Sequence, residues 1–217
     1  MKSYESFLPD VLPEVPGCPK DLAIRMIRQT VIEFCEKSFV HQITFDPITL
    51  RANLTDYDLD APDGHRVVKI MKVWFQDRPL PPAAPDLING PEAYRNRIPG
   101  LTLEKGSPAA YTQKDFEQVT FLPIPDQTYQ AAVTMRVALC PLRDSTQCED
   151  FLYEHWGEQI ACGAKARLMI NPGKPYTNVD AATLNQGRYV SAVNSALQRA
   201  MHGNVRSNLR VQLRRNP

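Results

Sequence analysis

The period of hydrophobicity changes three times along this chain, and each change limits what the segment can become. From Pro19 to Ser38, Ile24, Ile27, Val31, Phe34 and Cys35 fall at i, i+3, i+7, i+10 and i+11. That is one stripe of a helix. Leu22, Ala23 and Met26 widen it, so the helix is expected to be covered on more than one side. Pro19 suits the first helical position, where its missing N–H costs nothing. From about Val40 to Leu139 the pattern breaks into short β-branched and aromatic runs. The strongest are 66–75, 119–122 and 131–139, with 40–45, 50–59 and 108–112 weaker; Gln76–Pro79 reads as a turn. A loop is expected over 79–106, carrying a short helix near Asp86–Arg95.

Helical period returns at Glu149. Leu152, Trp156, Ile160, Ala164 and Leu168 recur every fourth residue, and Ala161 and Gly163 leave room for another backbone. Asn171-Pro172-Gly173-Lys174-Pro175 stops this helix. Asn178 is a good cap for a last helix with Val190, Val193, Leu197 and Ala200 as its stripe and Gly203 as its stop. Beyond Gly203 the period becomes two. Val205, Leu209, Val211 and Leu213 alternate with Arg206, Asn208, Arg210, Gln212 and Arg214. From Ala181 onward there are six arginines and no Asp or Glu.

These changes predict an α+β chain: a helical bundle with an inserted antiparallel β region and an extended C-terminal arm. The divisions are 1–39 (N-terminal segment and first bundle helix), 40–148 (β-rich insertion), 149–203 (two further bundle helices) and 204–217 (arm). Ile27, Val31, Phe34, Trp156, Ile160 and Leu168 are expected in the structural core. Nineteen prolines against ten glycines imply long but stiff connections.

The chain gives little sign of catalysis. Its net charge of +1 supplies no global field toward nucleic acid or an anionic membrane. The N-terminus lacks a signal-peptide pattern and no apolar run approaches ~20 residues, so a cytoplasmic chain with no membrane association is expected. The five cysteines are odd in number and lack C-x-x-C spacing, which favours buried thiols in a reducing compartment. The four histidines stand apart from them, which argues against zinc. Asp56-Tyr57-Asp58-Leu59-Asp60 begins like a calcium loop, but Ala61 and Val67 occupy the positions that need Gly and Glu. Asn171–Pro175 lacks the frame of a phosphate loop. No catalytic residue, metal or cofactor is assigned.

One resemblance runs from 18 to 176. The N-terminal block Phe7-Leu8-Pro9-Asp10-Val11-Leu12-Pro13-Glu14-Val15-Pro16-Gly17-Cys18-Pro19 runs into Ala23-Ile24-Arg25 and a first helix ending in Glu33-Phe34-Cys35. Then come Asp63-Gly64 before Arg66-Val67-Val68, and Val73-Trp74 with Arg78-Pro79-Leu80. Leu122-Pro123-Ile124-Pro125, Val137-Ala138-Leu139-Cys140-Pro141, Trp156 through Ala164, and Pro172-Gly173-Lys174-Pro175-Tyr176 follow in order. This series resembles the head-to-tail adaptor (connector) proteins of tailed bacteriophages. The resemblance implies a structural virion protein with no reaction and no cofactor. It would be assembled in the host bacterial cytoplasm and located at the head–tail junction. Such adaptors form a ring, typically of twelve copies, beneath the portal protein. The ring extends the DNA channel, through which the genome passes without sequence-specific binding, and offers a platform to the next tail or neck component.

On this reading the arm binds portal through Arg206, Leu209, Arg210, Val211, Leu213, Arg214 and Arg215. The backbone would add to a sheet edge or groove, and the arginines would meet carboxylates. The alternatives are another neck or tail-completion protein, a ligand-binding β module on a helical base, and a hydrolase without a recognisable motif.

Overall fold

The computed structural model describes residues 1–84, 105–113 and 116–203. The C-terminal arm with its seven candidate portal-binding residues, and the short helix expected near Asp86–Arg95, lie outside the described residues.

The N-terminal segment belongs to the core rather than leading into it. β1 (Lys2–Ser3) pairs antiparallel with β10 (Gln147–Cys148). A 3-10 turn over Tyr4–Phe7, α1 (Leu8–Val11) and a second turn over Leu12–Glu14 follow. Tyr4, Phe7, Leu8, Val11 and Val15 are buried.

The long helices follow their stripes. α2 spans Lys20–Ser38, α3 Asp150–Met169 and α4 Val179–His202. Pro19 caps α2 instead of opening its first turn. Asn178 caps α4 by accepting from the Ala181 amide. α2, α3 and α4 touch one another. With the N-terminal segment they enclose one core that contains Ile27, Val31, Phe34, Trp156, Ile160, Leu168 and Tyr189.

The small residues of α3 make the closest crossing. A Cβ on Gly163 would stand 2.6 Å from Thr30 Cγ2 and 2.7 Å from Tyr189 Cδ2, so only glycine lets the three helices meet there. Charged pairs fasten the layer. Glu33 of α2 pairs with Arg167 of α3, and buried Lys165 meets Glu14 at 2.7 Å.

The buried face of α4 differs from the expected one. Val190 is exposed, and the face on the core is Ala182, Asn185, Tyr189, Ala192, Val193 and Ala196. Close helix packing selected small residues and one large tyrosine over the most apolar line.

The β residues build a second core. β5 (His65–Phe75) and β9 (Tyr129–Pro141) pair antiparallel through most of their length. β6 (Arg78–Leu80) returns along β5 after a two-residue turn in which Gln76 and Asp77 take φ of 47° and 63°. The expected turn over 76–79 is therefore two residues shorter. β2 (Gln42–Thr44) and β3 (Ile48–Leu50) also pair with β9. β4 (Asp56–Asp58), β8 (Gln118–Leu122) and β7 (Ala110–Gln113) form a three-stranded sheet in the order β4-β8-β7.

The register of β5 against β9 slips at Val67/Lys69 and Ile70/Lys72. Each slip adds a residue and re-aims the strand. Val67, Ile70, Val73 and Phe75 consequently all point inward despite their uneven spacing. They pack with Tyr111, Val119 and Phe121 of the other sheet and with Val133, Met135 and Val137 of β9.

This architecture corrects the expected helical bundle with an inserted β region. Among the described residues the chain is a strand-rich α+β fold, with four α-helices and ten strands in three antiparallel sheets. The reason lies in β9. Its Val133, Met135, Val137 and Leu139 belong to the sheet core, Cys140 belongs to the helical core, and α2 packs directly on it. The strands are thus not an appendage of a bundle.

Candidate functional site

The sequence motifs that bordered on catalysis have structural roles. Asp56 lies on β4 and its carboxylate accepts the Thr120 hydroxyl at 2.5 Å; Asp58 accepts from the Gln118 amide at 3.0 Å. These bonds tie β4 to β8. In the α3–α4 turn, Thr177 Oγ1 accepts from the Lys174 amide and donates to the Asn171 carbonyl, which closes the loop on itself.

The cysteines are free thiols. Cys35, Cys140, Cys148 and Cys162 are buried and Cys18 is half-buried. Burial pushes the Cys140 thiol up to about 11 and Cys148 to about 12, and raises Cys35 well above the ordinary value. Since the thiolate is the nucleophile, these groups are unreactive at neutral pH. An aromatic disulfide reagent at pH 8 should modify Cys18 first, and the other thiols only as the protein unfolds. Two or more fast thiols in native protein would contradict this assignment.

A cluster that sequence spacing hid lies where the helices meet the sheet. His41 follows α2, His65 opens β5 and Glu149 precedes α3. One ligand-capable atom from each lies within 4.8 Å of the other two. His41 and His65 are both buried, with ring centroids 5.2 Å apart, edge to face. Phe151 covers His41 from another side at 5.7 Å. Burial lowers the His41 pKa, opposed by the nearby Glu149 and aided by His65. His65 Nδ1 donates to the Asp63 carbonyl at 3.1 Å. Its Nε2 is 3.5 Å from Glu149 Oε1, close enough for an ion pair but making no hydrogen bond. No local motif marks these residues, because each belongs to a different element.

α4 also carries exposed apolar residues. Val179, Val190 and Met201 are exposed and spaced eleven residues apart, about three helical turns each, so they share a face. Single exposed apolar residues are ordinary. These three stand about 16.5 Å apart along the axis, and exposed Leu184 lies more than about 90° round the helix from them, so they are separate exposed side chains and not a continuous apolar patch.

The six expected core residues are all buried, five of them completely and Trp156 at 7% exposure. Trp156 sits at the edge of that core, with the Arg199 guanidinium 5.1 Å above its ring. No helix among the described residues is long and apolar enough to cross a membrane. No family model matches the chain, and no curated protein is detectably similar to it.

Proposed function

We propose that this chain is a structural virion protein, a head-to-tail adaptor that forms a ring beneath the portal of a tailed bacteriophage. It would be assembled in the host cytoplasm and reside at the head–tail junction, extending the DNA channel and receiving the next tail or neck component. It is not an enzyme on this reading.

The observation that carries the reading is the ordered motif series from Cys18 to Tyr176. Several of its members fall at joints of the fold, while Glu33–Cys35, Val137–Pro141 and Trp156–Ala164 lie within α2, β9 and α3. Gly17, at φ 81°, and Pro19 lead into α2; Asp63-Gly64 turns into β5; Val73-Trp74 and Arg78–Leu80 form the β5–β6 hairpin; Pro172–Tyr176 links α3 to α4. Residues that set joints set the shape of a subunit, and shape is what a ring component contributes. The near-neutral charge suits a wall past which DNA slides.

The test is co-expression with the portal protein encoded beside it, followed by imaging of the complex. Free adaptor can stay monomeric until portal is present, so the complex is the informative species. A ring on the portal is the expected result. A chain ending at Gly203 should fold with unchanged helix content by circular dichroism, yet fail to join. If the full chain never joins portal, the adaptor reading fails; if the truncated chain docks normally, the arm assignment fails.

A further inference from the structure

We infer that His41, His65 and Glu149 form a zinc-binding site that ties the helical layer to the sheet. The set is two imidazoles and one carboxylate, three protein ligands that leave a fourth position open.

The geometry is close to what a tetrahedral ion needs. Two ligands each 2.0–2.1 Å from zinc stand about 3.3 Å apart. His65 Nε2 and Glu149 Oε1 are already 3.5 Å apart, and the His41 ligand atom lies within 4.8 Å of both. Small side-chain rotations would close the rest.

The polar accounting points the same way. His65 Nδ1 must carry a hydrogen, because the Asp63 carbonyl it contacts can only accept. That bond is the backbone support that fixes the tautomer of a metal-bound histidine, and it turns Nε2 toward Glu149. In the neutral ring Nε2 is then a bare lone pair facing a carboxylate 3.5 Å away, an arrangement that a cation bound between them would relieve. His41 Nδ1 and His65 Nε2 are both buried without a hydrogen-bond partner, and buried polar atoms are rarely left so.

Glu149 adds an independent observation. It occupies the N-cap of α3, where Ser, Thr, Asp or Asn is favoured. Its side chain makes no capping bond. Instead its carboxylate reaches His65, and its 30% side-chain exposure leaves the cluster open to solvent on that side. His41 is held by the rings of His65 and Phe151, so two of the three ligands are positioned by packing before any ion arrives.

The test uses the purified full chain without a histidine tag, stripped by chelator and titrated with zinc sulfate. One equivalent should bind, and at a hundredfold excess over Kd the Tm should rise by at least about 5 °C. Cobalt(II) in place of zinc should give the visible absorption of a tetrahedral N/O site. Glu149→Gln, at a partly exposed position, should fold normally and lower zinc affinity at least about 100-fold. His41→Gln should do the same. His155→Gln and His202→Gln, which change the two histidines outside the cluster, should leave binding intact. Absence of zinc binding by the wild-type chain would overturn the proposal. Binding that survives Glu149→Gln and His41→Gln would overturn it equally.

Discussion

Phe34→Ala should destabilise the protein by about 3–5 kcal/mol, the cost of removing a buried aromatic ring and leaving a cavity. Phe34 is fully buried in α2, with its ring 5.4 Å from that of Trp156 in α3 and 6.2 Å from that of Tyr189 in α4. Through it the aromatic residues of three helices meet. Surrounding atoms have little freedom to collapse into its space, since Ile27, Val31 and Ile160 are themselves fully buried. Domains are stable by only about 5–15 kcal/mol in total, so the urea midpoint should fall by a large fraction of its value. Trp156→Ala should land at the lower end of the same range, because its ring has an exposed edge under Arg199. An unchanged midpoint for Phe34→Ala would remove this residue from the core.

Gly163→Ala should also destabilise, against the direction that helix propensity alone gives. An interior glycine replaced by alanine normally gains ~1 kcal/mol. Here the new methyl would meet Thr30 Cγ2 at 2.6 Å and the root of the Tyr189 ring at 2.9 Å. Neither neighbour is a free end: both are buried, and the Tyr189 hydroxyl donates to the Thr30 carbonyl at 3.3 Å. Overpacking of this kind costs about 1–3 kcal/mol, and the closeness of three contacts places it at the upper end. Gly187 in α4 is the control, with nothing within 4 Å of an added Cβ. Gly187→Ala should stabilise by about 0.5–1 kcal/mol. Thermal melts of the two variants should therefore move in opposite directions, and a stabilised Gly163→Ala would refute the close crossing.

The long helices were legible because their burial and their period agree. α2 and α3 begin within one residue of the positions read from sequence. The N-terminal segment was missed for a specific reason. Tyr4, Phe7, Val11 and Val15 are spaced like a helical stripe, but Pro9 and Pro13 fall among them and Pro16 follows directly, so the segment reads as a loop. The chain keeps the apolar contacts with short turns instead of a continuous helix. The buried face of α4 was misassigned at Val190 because small residues, Asn185 and Tyr189 form the contact, and none of them dominates a hydrophobicity count. β2, β3, β4 and β6 have three residues each, too few to display a period, and exist because longer partners template them. Those short strands, and a β9 that serves two cores, are why the expected inserted-bundle architecture gave way to three sheets. The histidine–glutamate cluster had no signal at all: its members approach only when the end of α2, the start of β5 and the start of α3 converge.

β9 belongs to both cores, and that membership removes any soft joint between the helices and the sheets. Opening the helical layer would uncover Cys140 on the same backbone whose neighbours Val137 and Leu139 seal the other core. Neither half can fray without loosening the strand that the other depends on, so the two share one cooperative transition. A push on the helical face is therefore carried into the β layer along a single covalent rod of thirteen residues rather than absorbed at a hinge.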